Sequence, residues 1–220
     1  MKKTVLTLFI PFIIVLLTSA DGEGAKWYVD NAVSASGNGK SWKTAFSSFS
    51  DIKWEKIMPG DFIYISGGPL GGSKMYSESW FVGASGAEGH PVTIALDASN
   101  SDHNGTVVFD YDALGDIATA DAITLNNRRY ITINGNVKGQ NHLIFKNLRN
   151  ITSNPRGVGE GSTEANCITG LGNRNIVIDH VDFVNCNNPI RLRGGGPGNE
   201  VMHSNFRGVR GDVAIMIDGG

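Results

Sequence analysis

Charge is scarce in this sequence, at 18% of residues, and so are cysteine and proline, with 2 and 7 among 220. Each shortage excludes something. Two cysteines, Cys167 and Cys186, make no disulfide-stapled scaffold. They stand as one disulfide or as two buried thiols packing like small apolar side chains. Low charge beside 40% hydrophobic residues excludes disorder, which needs high net charge and little to bury. A net charge of −2 gives no general attraction for nucleic acid. Past the N-terminus no apolar run approaches the roughly 20 residues of a membrane span. A phosphate-cradling glycine loop, a paired-cysteine zinc motif and a nucleophile elbow are absent as well. Arginine is missing from the first half: its first occurrence is Arg128, and every Lys or Arg position before it is lysine.

Glycine, by contrast, is abundant at 29 residues, which points to many short ordered segments joined by tight turns. The N-terminus places Lys2 and Lys3 before an apolar run from Val5 to Leu17, followed by small residues. That is the layout of a secretory signal peptide over 1–20, with cleavage after Ala20. Pro11 interrupts the run, which is too short for a membrane anchor, and no cysteine follows it to carry a lipid. Removing Lys2 and Lys3 takes the basic total from 19 to 17 against 21 acidic residues, a net charge near −4. The expected location is secreted, periplasmic or on the cell surface.

After the signal, "WYVD" reads as a short strand. From Ser41 the residues Trp42, Ala45, Phe46, Phe49 and Ile52 recur at helical spacing, which predicts an amphipathic helix of about three turns. "PGD" at 59–61 is a turn and "FIYIS" a strand. From about residue 80 the pattern changes to short alternating runs ending in Gly, Asn or Asp, among them "PVTIAL", "TVVFDY", "YITING", "HLIFKN", "NIVID", "VDFVN" and "IRLRG". These runs recur. Ile168 to Ile190 spans 22 residues, Phe183 to Phe206 23 and Ile190 to Ile215 25, while Ile123 to Ile168 and Ile131 to Ile176 each span 45. A period of 22–25 holding only short strands fits a parallel β-helix. A leucine-rich repeat would need a regular Leu frame, which is absent, and a β-sandwich gives no reason for the recurrence. Within one coil, Ile176 and Ile178 point inward, the chain bends at Asp179-His180, Val181 and Phe183 point inward again, and Ile190 and Leu192 fill the third side. Since successive strand residues face opposite ways, Arg191 and Arg193 face outward.

"YVDNAVSASGNGKSWKTAFSSFSDI" followed by "PGDFIYISGG" resembles the N-terminal cap of the pectate-lyase-like superfamily, and "GTVVFD", "AITLNNRRYITINGN" and "NIVIDHVDFVN" resemble its early coils. The resemblance covers about residues 27–220. It implies an all-β fold: a right-handed single-stranded parallel β-helix with an N-terminal capping strand and amphipathic helix. On that plan 26–75 forms the cap and first strand, and 76–220 forms coils expected to continue beyond the chain end. An uncovered last coil would stack on missing sequence or on another chain. The resemblance is specific for fold and loose for function, since the superfamily holds lyases, hydrolases, epimerases and adhesins.

Two constellations are candidates for chemistry. Arg191 and Arg193 share one outward strand face, with Arg174, Arg207 and Arg210 at neighbouring turns. Guanidinium groups bind carboxylates bidentately, so this set suits an acidic polysaccharide; equally, it is the solvated charge that exposed strands need. The second is "DHVD": Asp179, His180 and Asp182. It resembles the "IDH" segment of family-one pectate lyases, which implies Ca2+ held by Asp179 and Asp182. By coil alignment Asn134, Asp179 and His203 take equivalent corner positions, so a simple polar ladder is the alternative. A lyase would use Arg191 or Arg193 as the base, with Arg174, Arg207, Arg210, His180 and His203 binding substrate. A hydrolase would need paired carboxylates, for which Asp179, Asp182 and Asp212 cluster. Tyr76, Trp80 and Phe81 either stack on sugar rings or cover the cap's apolar edge.

The reading is an exported carbohydrate-active β-helix, a polysaccharide lyase or glycoside hydrolase for an acidic polysaccharide, with no nucleic-acid partner. The alternatives are a non-catalytic surface or adhesin-type β-helix and an N-terminal fragment without activity of its own. Outward Arg and Asp converging on one sheet would favour the enzyme. Charges scattered over three sheets and already paired would favour the surface protein.

Overall fold

A computed structural model describes residues 23–112, 121–148, 165–209 and 213–219; the signal segment lies outside them. The first described strand is β1 (Lys26–Val29), after which the chain winds coil by coil. The first coil is β2 (Phe62–Ile65), β3 (Ser73–Tyr76) and β4 (Trp80–Phe81). The second is β5 (Val92–Ala95), β6 (Thr106–Asp110) and β7 (Ile123–Thr124). The third is β8 (Arg129–Asn134), a small hairpin of β9 (Asn136–Val137) and β10 (Gln140–Asn141), then β11 (Leu143–Lys146) and β12 (Asn166–Leu171). The fourth is β13 (Arg174–Asp179), β14 (Val181–Val184) and β15 (Asn188–Gly195). The last is β16 (Glu200–Met202), β17 (Asn205–Arg207) and β18 (Ile215–Gly219).

Each coil gives one strand to each of three parallel sheets. Sheet A runs β1-β2-β5-β8-β13-β16, sheet B β3-β6-β11-β14-β17 and sheet C β4-β7-β12-β15-β18. In such a stack identical faces lie above one another, so the core is built of ladders. Sheet A contributes Ile63, Ile94, Ile133 and Ile178 in register. Sheet C contributes Trp80, Ile123, Ile168 and Ile190. Sheet B contributes Tyr76, Phe109, Phe145, Phe183 and Phe206. Ring centroids along this last ladder are 5.7, 4.8, 5.6 and 5.1 Å apart, within the range where aromatic pairs add about 0.5–1.5 kcal/mol beyond their burial. The period and the inward set Ile176, Ile178, Val181, Phe183, Ile190 and Leu192 agree with the sequence reading, all six being buried.

Corners are made by residues with positive φ. Asn127, Asn147, Asn175, Asn185, His180 and His203 all adopt it, a conformation that Asn and His tolerate better than most side chains. One such residue turns the chain from sheet A to sheet B between Asp179 and Val181. Cys167 and Cys186 are buried free thiols.

The cap departs from expectation. The stretch with helical spacing is no continuous helix but three single 3-10 turns, Trp42–Thr44, Phe49–Asp51 and Trp54–Lys56. The apolar positions do go inward, Ala45, Phe46, Phe49 and Ile52 all being buried. The backbone is diverted by β1, however: Phe46 donates its N–H to the Tyr28 carbonyl and accepts from the Asp30 N–H, both at 2.9 Å. Ser41 and Ser48 turn their hydroxyls onto the N–H groups of Thr44 and Ser50, local bonds that compete with helix propagation. The "PGD" turn has a latch. Asp61 is buried and accepts from the Ala25 N–H at 2.8 Å, the Trp27 indole at 2.9 Å and the Met58 N–H at 3.0 Å.

If the sheet B ladder supports the fold, Phe145→Ala lowers stability by about 3–5 kcal/mol, the cost of truncating a fully buried Phe. Phe81 lies on the outer face and is 69% exposed, so Phe81→Ala changes stability by about 0.5 kcal/mol or less. Urea unfolding followed by tryptophan fluorescence separates the two; equal midpoints would remove the ladder from its supporting role.

Candidate functional site

The sheet A–sheet B corner brings the ligand atoms of Asp179, His180 and His203 within 4.8 Å of one another. Asp179 ends β13 and is paired on one side with Asn134 and on the other with Met202. The coil alignment expected from sequence is therefore one place off: Met202, not His203, is level with Asp179. His203 is instead level with His180, each being the one left-handed residue that turns its coil from sheet A to sheet B, with φ of 45° and 54°. Stacking two coils thus stacks two imidazoles, whose centroids are 4.6 Å apart and tilted by 34°. Asp179 Oδ1 lies 2.8 Å from His180 Nδ1 and 2.8 Å from His203 Nδ1. Asp179 and His180 are mostly covered, with side chains 16% and 13% exposed, whereas His203 is 65% exposed.

The sequence reading missed the wall of this corner. In the third coil the one-residue corner is replaced by the β9–β10 hairpin, whose two central residues, Lys138 and Gly139, have φ of 53° and 80°. Positive φ at both positions is the type I′ turn that suits a two-residue hairpin. The signal was present in "NVKGQN", a Gly-containing pair flanked by Asn on either side, but the segment is too short to show alternation. Asn136 Oδ1 accepts from the Gly139 N–H at 2.8 Å, which fixes the amide. Its nitrogen then lies 3.4 and 3.2 Å from the two ring nitrogens of His180, over the ring rather than in line with either. Asn141 donates to Asp182 Oδ1 at 2.6 Å and to the His203 carbonyl at 3.0 Å. The hairpin therefore ties three coils together beside the two histidines.

Asp182 is buried on the outer side of sheet B and keeps different company from Asp179. Its Oδ1 also accepts from Asn205 at 2.8 Å and its Oδ2 pairs with Arg207 Nη2 at 3.1 Å. In line with Arg207 along sheet B are Val184, Lys146 and Asp110, and Lys146 and Asp110 form an ion pair of 2.9 Å. Burial works to raise the Asp110 carboxyl, but hydrogen bonds from Asn147, Lys146 and the Asp112 N–H outweigh it and hold the group below its ordinary value.

No protein-family model matches the sequence, and no curated protein does. Solved structures do. A GH136 lacto-N-biosidase from Eubacterium ramulus superposes with a TM-score of 0.57 at 11% identity, over 84% of this chain and 34% of that one. A rhamnogalacturonan lyase superposes with a TM-score of 0.50 at 12% identity, over 83% of this chain and 51% of that one. The chain has the right-handed parallel β-helix fold. It spans between a third and about half of the length of these structures, and at such identities the likeness concerns the fold.

On this β-helix the arginines do not form one groove. Arg174 opens β13 on sheet A, Arg207 lies on sheet B, and Arg191 and Arg193 lie on sheet C; Arg210 and Asp212 fall outside the described residues. Arg193 is exposed and Arg191 half-buried, on a face that also exposes Phe81 and Leu171. Tyr76 and Trp80 are buried inside the first coil, so neither is a surface stacking platform. Near Arg191 lies Asp121, which accepts from the Asn166 N–H at 3.0 Å and its side-chain amide at 2.7 Å. Burial pushes the Asp121 carboxyl up, against those hydrogen bonds and the Arg191 charge.

A carboxyl whose folded pKa exceeds its unfolded value binds its proton more tightly in the folded chain. Its contribution to stability is complete below the ordinary value of 3.8 and is lost as the pH rises through the higher folded value. The wild type therefore gains stability relative to Asp121→Asn on going from neutral to mildly acidic pH. Urea midpoints of both proteins at the two pH values check this; parallel profiles would show that Asp121 titrates normally.

Proposed function

We propose that the chain is an exported carbohydrate-active β-helix, and that its saccharide contacts lie at the sheet A–sheet B corner and along outer sheet B. The observation that carries the reading is the convergence at this corner of two carboxylates, two imidazoles, three amides and a guanidinium around a hairpin that, among the described residues, one coil possesses. The named fold neighbours, a lacto-N-biosidase and a rhamnogalacturonan lyase, are carbohydrate-active by name, which supports the class. The signal-like N-terminus supports export, to the periplasm, the cell surface or the medium. Among the described residues no helix is long and apolar enough to cross a membrane.

The proposed division of labour follows from exposure and charge. Arg207, 64% exposed, can take a sugar carboxylate in the bidentate manner of guanidinium groups. Asp179 orients the exposed His203 through its Nδ1, the arrangement that positions an imidazole to accept or deliver a proton. His180, covered on both faces, supports His203. Arg191 and Arg193 stay candidates for a lyase base, on a separate surface. The dispersal of the arginines over three sheets, with Arg207 paired to Asp182, is what a non-catalytic surface β-helix would show, and the test is chosen to separate the two.

The secreted protein is screened for binding and turnover against polygalacturonate, alginate, chondroitin and neutral glucans, reading unsaturated products by ultraviolet absorbance and hydrolysis by reducing ends. The expected result is preference for an acidic polymer, weakened roughly tenfold or more in Arg207→Ala, the loss of one charge-assisted hydrogen bond. Loss confined to an Arg191→Ala/Arg193→Ala double variant would move the site to sheet C. Binding without turnover would leave a non-catalytic carbohydrate-binding β-helix, and no binding at all would overturn the carbohydrate reading.

A further inference from the structure

The resemblance implies calcium at Asp179 and Asp182, but the residues present do not fit that ion. Calcium takes about 6–8 oxygen ligands. Here Asp182 spends both oxygens on Asn141, Asn205 and Arg207, and Asp179 Oδ1 faces two imidazole nitrogens. What converges instead is a mixed set. The ligand atoms of Asp179, His180 and His203 all lie within 4.8 Å of one another. Imidazole nitrogens with one carboxylate suit zinc and its transition-metal neighbours rather than calcium.

We propose that Asp179, His180 and His203 form a site for a zinc-class divalent cation, with an open coordination position on the outer side of the corner. The distances are close to what such an ion needs. Zinc bonds of about 2.0–2.1 Å in tetrahedral geometry hold ligand atoms about 3.3 Å apart, so each 2.8 Å contact to Asp179 must open by about half an ångström, while the histidine pair, within 4.8 Å, must close by at most about 1.5 Å. The N–H protons that now bridge imidazole and carboxylate occupy the place the cation takes, so on binding each neutral imidazole carries its proton on Nε2 and presents the Nδ1 lone pair to the metal.

Two of the three ligands are already anchored. Asp179 is held in register by strands on both sides, and His180 sits between the Asn136 amide and the His203 ring. The exposed His203 supplies the adjustable ligand. The choice of histidine also needs a reason, because the backbone does not demand it. Asn127, Asn147, Asn175 and Asn185 hold the same left-handed conformation at other corners, yet this corner carries histidine in two successive coils. Three protein ligands with a fourth position open is the pattern of zinc that polarises a bound water or substrate oxygen.

The test uses the full secreted chain, free of any affinity tag and stripped with chelator, titrated with Zn2+ by calorimetry and with Co2+ by visible absorption. One Zn2+ per chain is expected, with a tetrahedral Co2+ spectrum and no response to Ca2+. Asp179→Asn and His203→Asn each weaken uptake by at least the roughly 10–100-fold seen on removing outer-shell partners, while His90→Ala, at a distant turn, leaves it unchanged. His203 is exposed and asparagine holds the same left-handed conformation at Asn127, Asn147, Asn175 and Asn185, so its variant keeps the wild-type thermal melt. Zn2+ uptake unaffected by either corner variant, displacement by Ca2+, or absence of uptake would each overturn the site. Since the readout is metal occupancy, its outcome is independent of whether any polysaccharide binds.

Discussion

Phe109, Phe145, Phe183 and Phe206 lie one above another along the axis of the β-helix, and this register is the constraint on which the rest of the structure depends. A parallel coil fold has no choice about what sits above what. Once one inward residue of a coil is aligned with its counterpart, every other residue of that coil is aligned too, because strands advance by a fixed rise and alternate faces. The aromatic ladder on sheet B and the isoleucine ladders on sheets A and C enforce the same alignment from three sides. The cap feeds into the ladder directly: Phe49 stacks on Trp80 at 4.4 Å and meets Phe109 at 5.5 Å.

The outer surface inherits that register. Asp179, His180 and His203 come together because the coils of β13 and β16 each turn at a single left-handed residue, and the two turns are superposed by ladders buried inside. Asp182 meets Asn205 and Arg207 for the same reason. The hairpin between β8 and β11 departs from this rule, being an insertion at a corner that the next two coils turn with one residue. It is there that Asn136 and Asn141 reach the neighbouring coils. Function-bearing groups at this site are therefore placed by two different physical means, repetition and its local interruption.

Much of this was legible. The 22–25-residue recurrence and the alternation in "NIVID" and "VDFVN" identify a coil and its inward set, since period and face follow from chain geometry alone. The chemical candidates Asp179, His180 and His203 were also visible as residue types. Three things were not. The cap's helical spacing did describe burial, but whether its backbone closes on itself or on β1 is settled by hydrogen bonds between segments far apart in sequence. The alignment of His203 with Asp179 was off by one, because counting residues across a corner does not show which residue makes the turn. The β9–β10 hairpin was overlooked because two-residue strands carry no periodicity.

The sequence by itself determined the architecture: an all-β chain of short strands, its repeat, its inward residues and the outward facing of Arg191 and Arg193. Those follow from local alternation and from a repeat that is written in the chain. Only the tertiary structure decided which outward residues meet. The arginines disperse over three sheets while a carboxylate and two imidazoles converge on one corner, because contacts between coils depend on register to a single residue, and a shift of one position moves a side chain to a different neighbour.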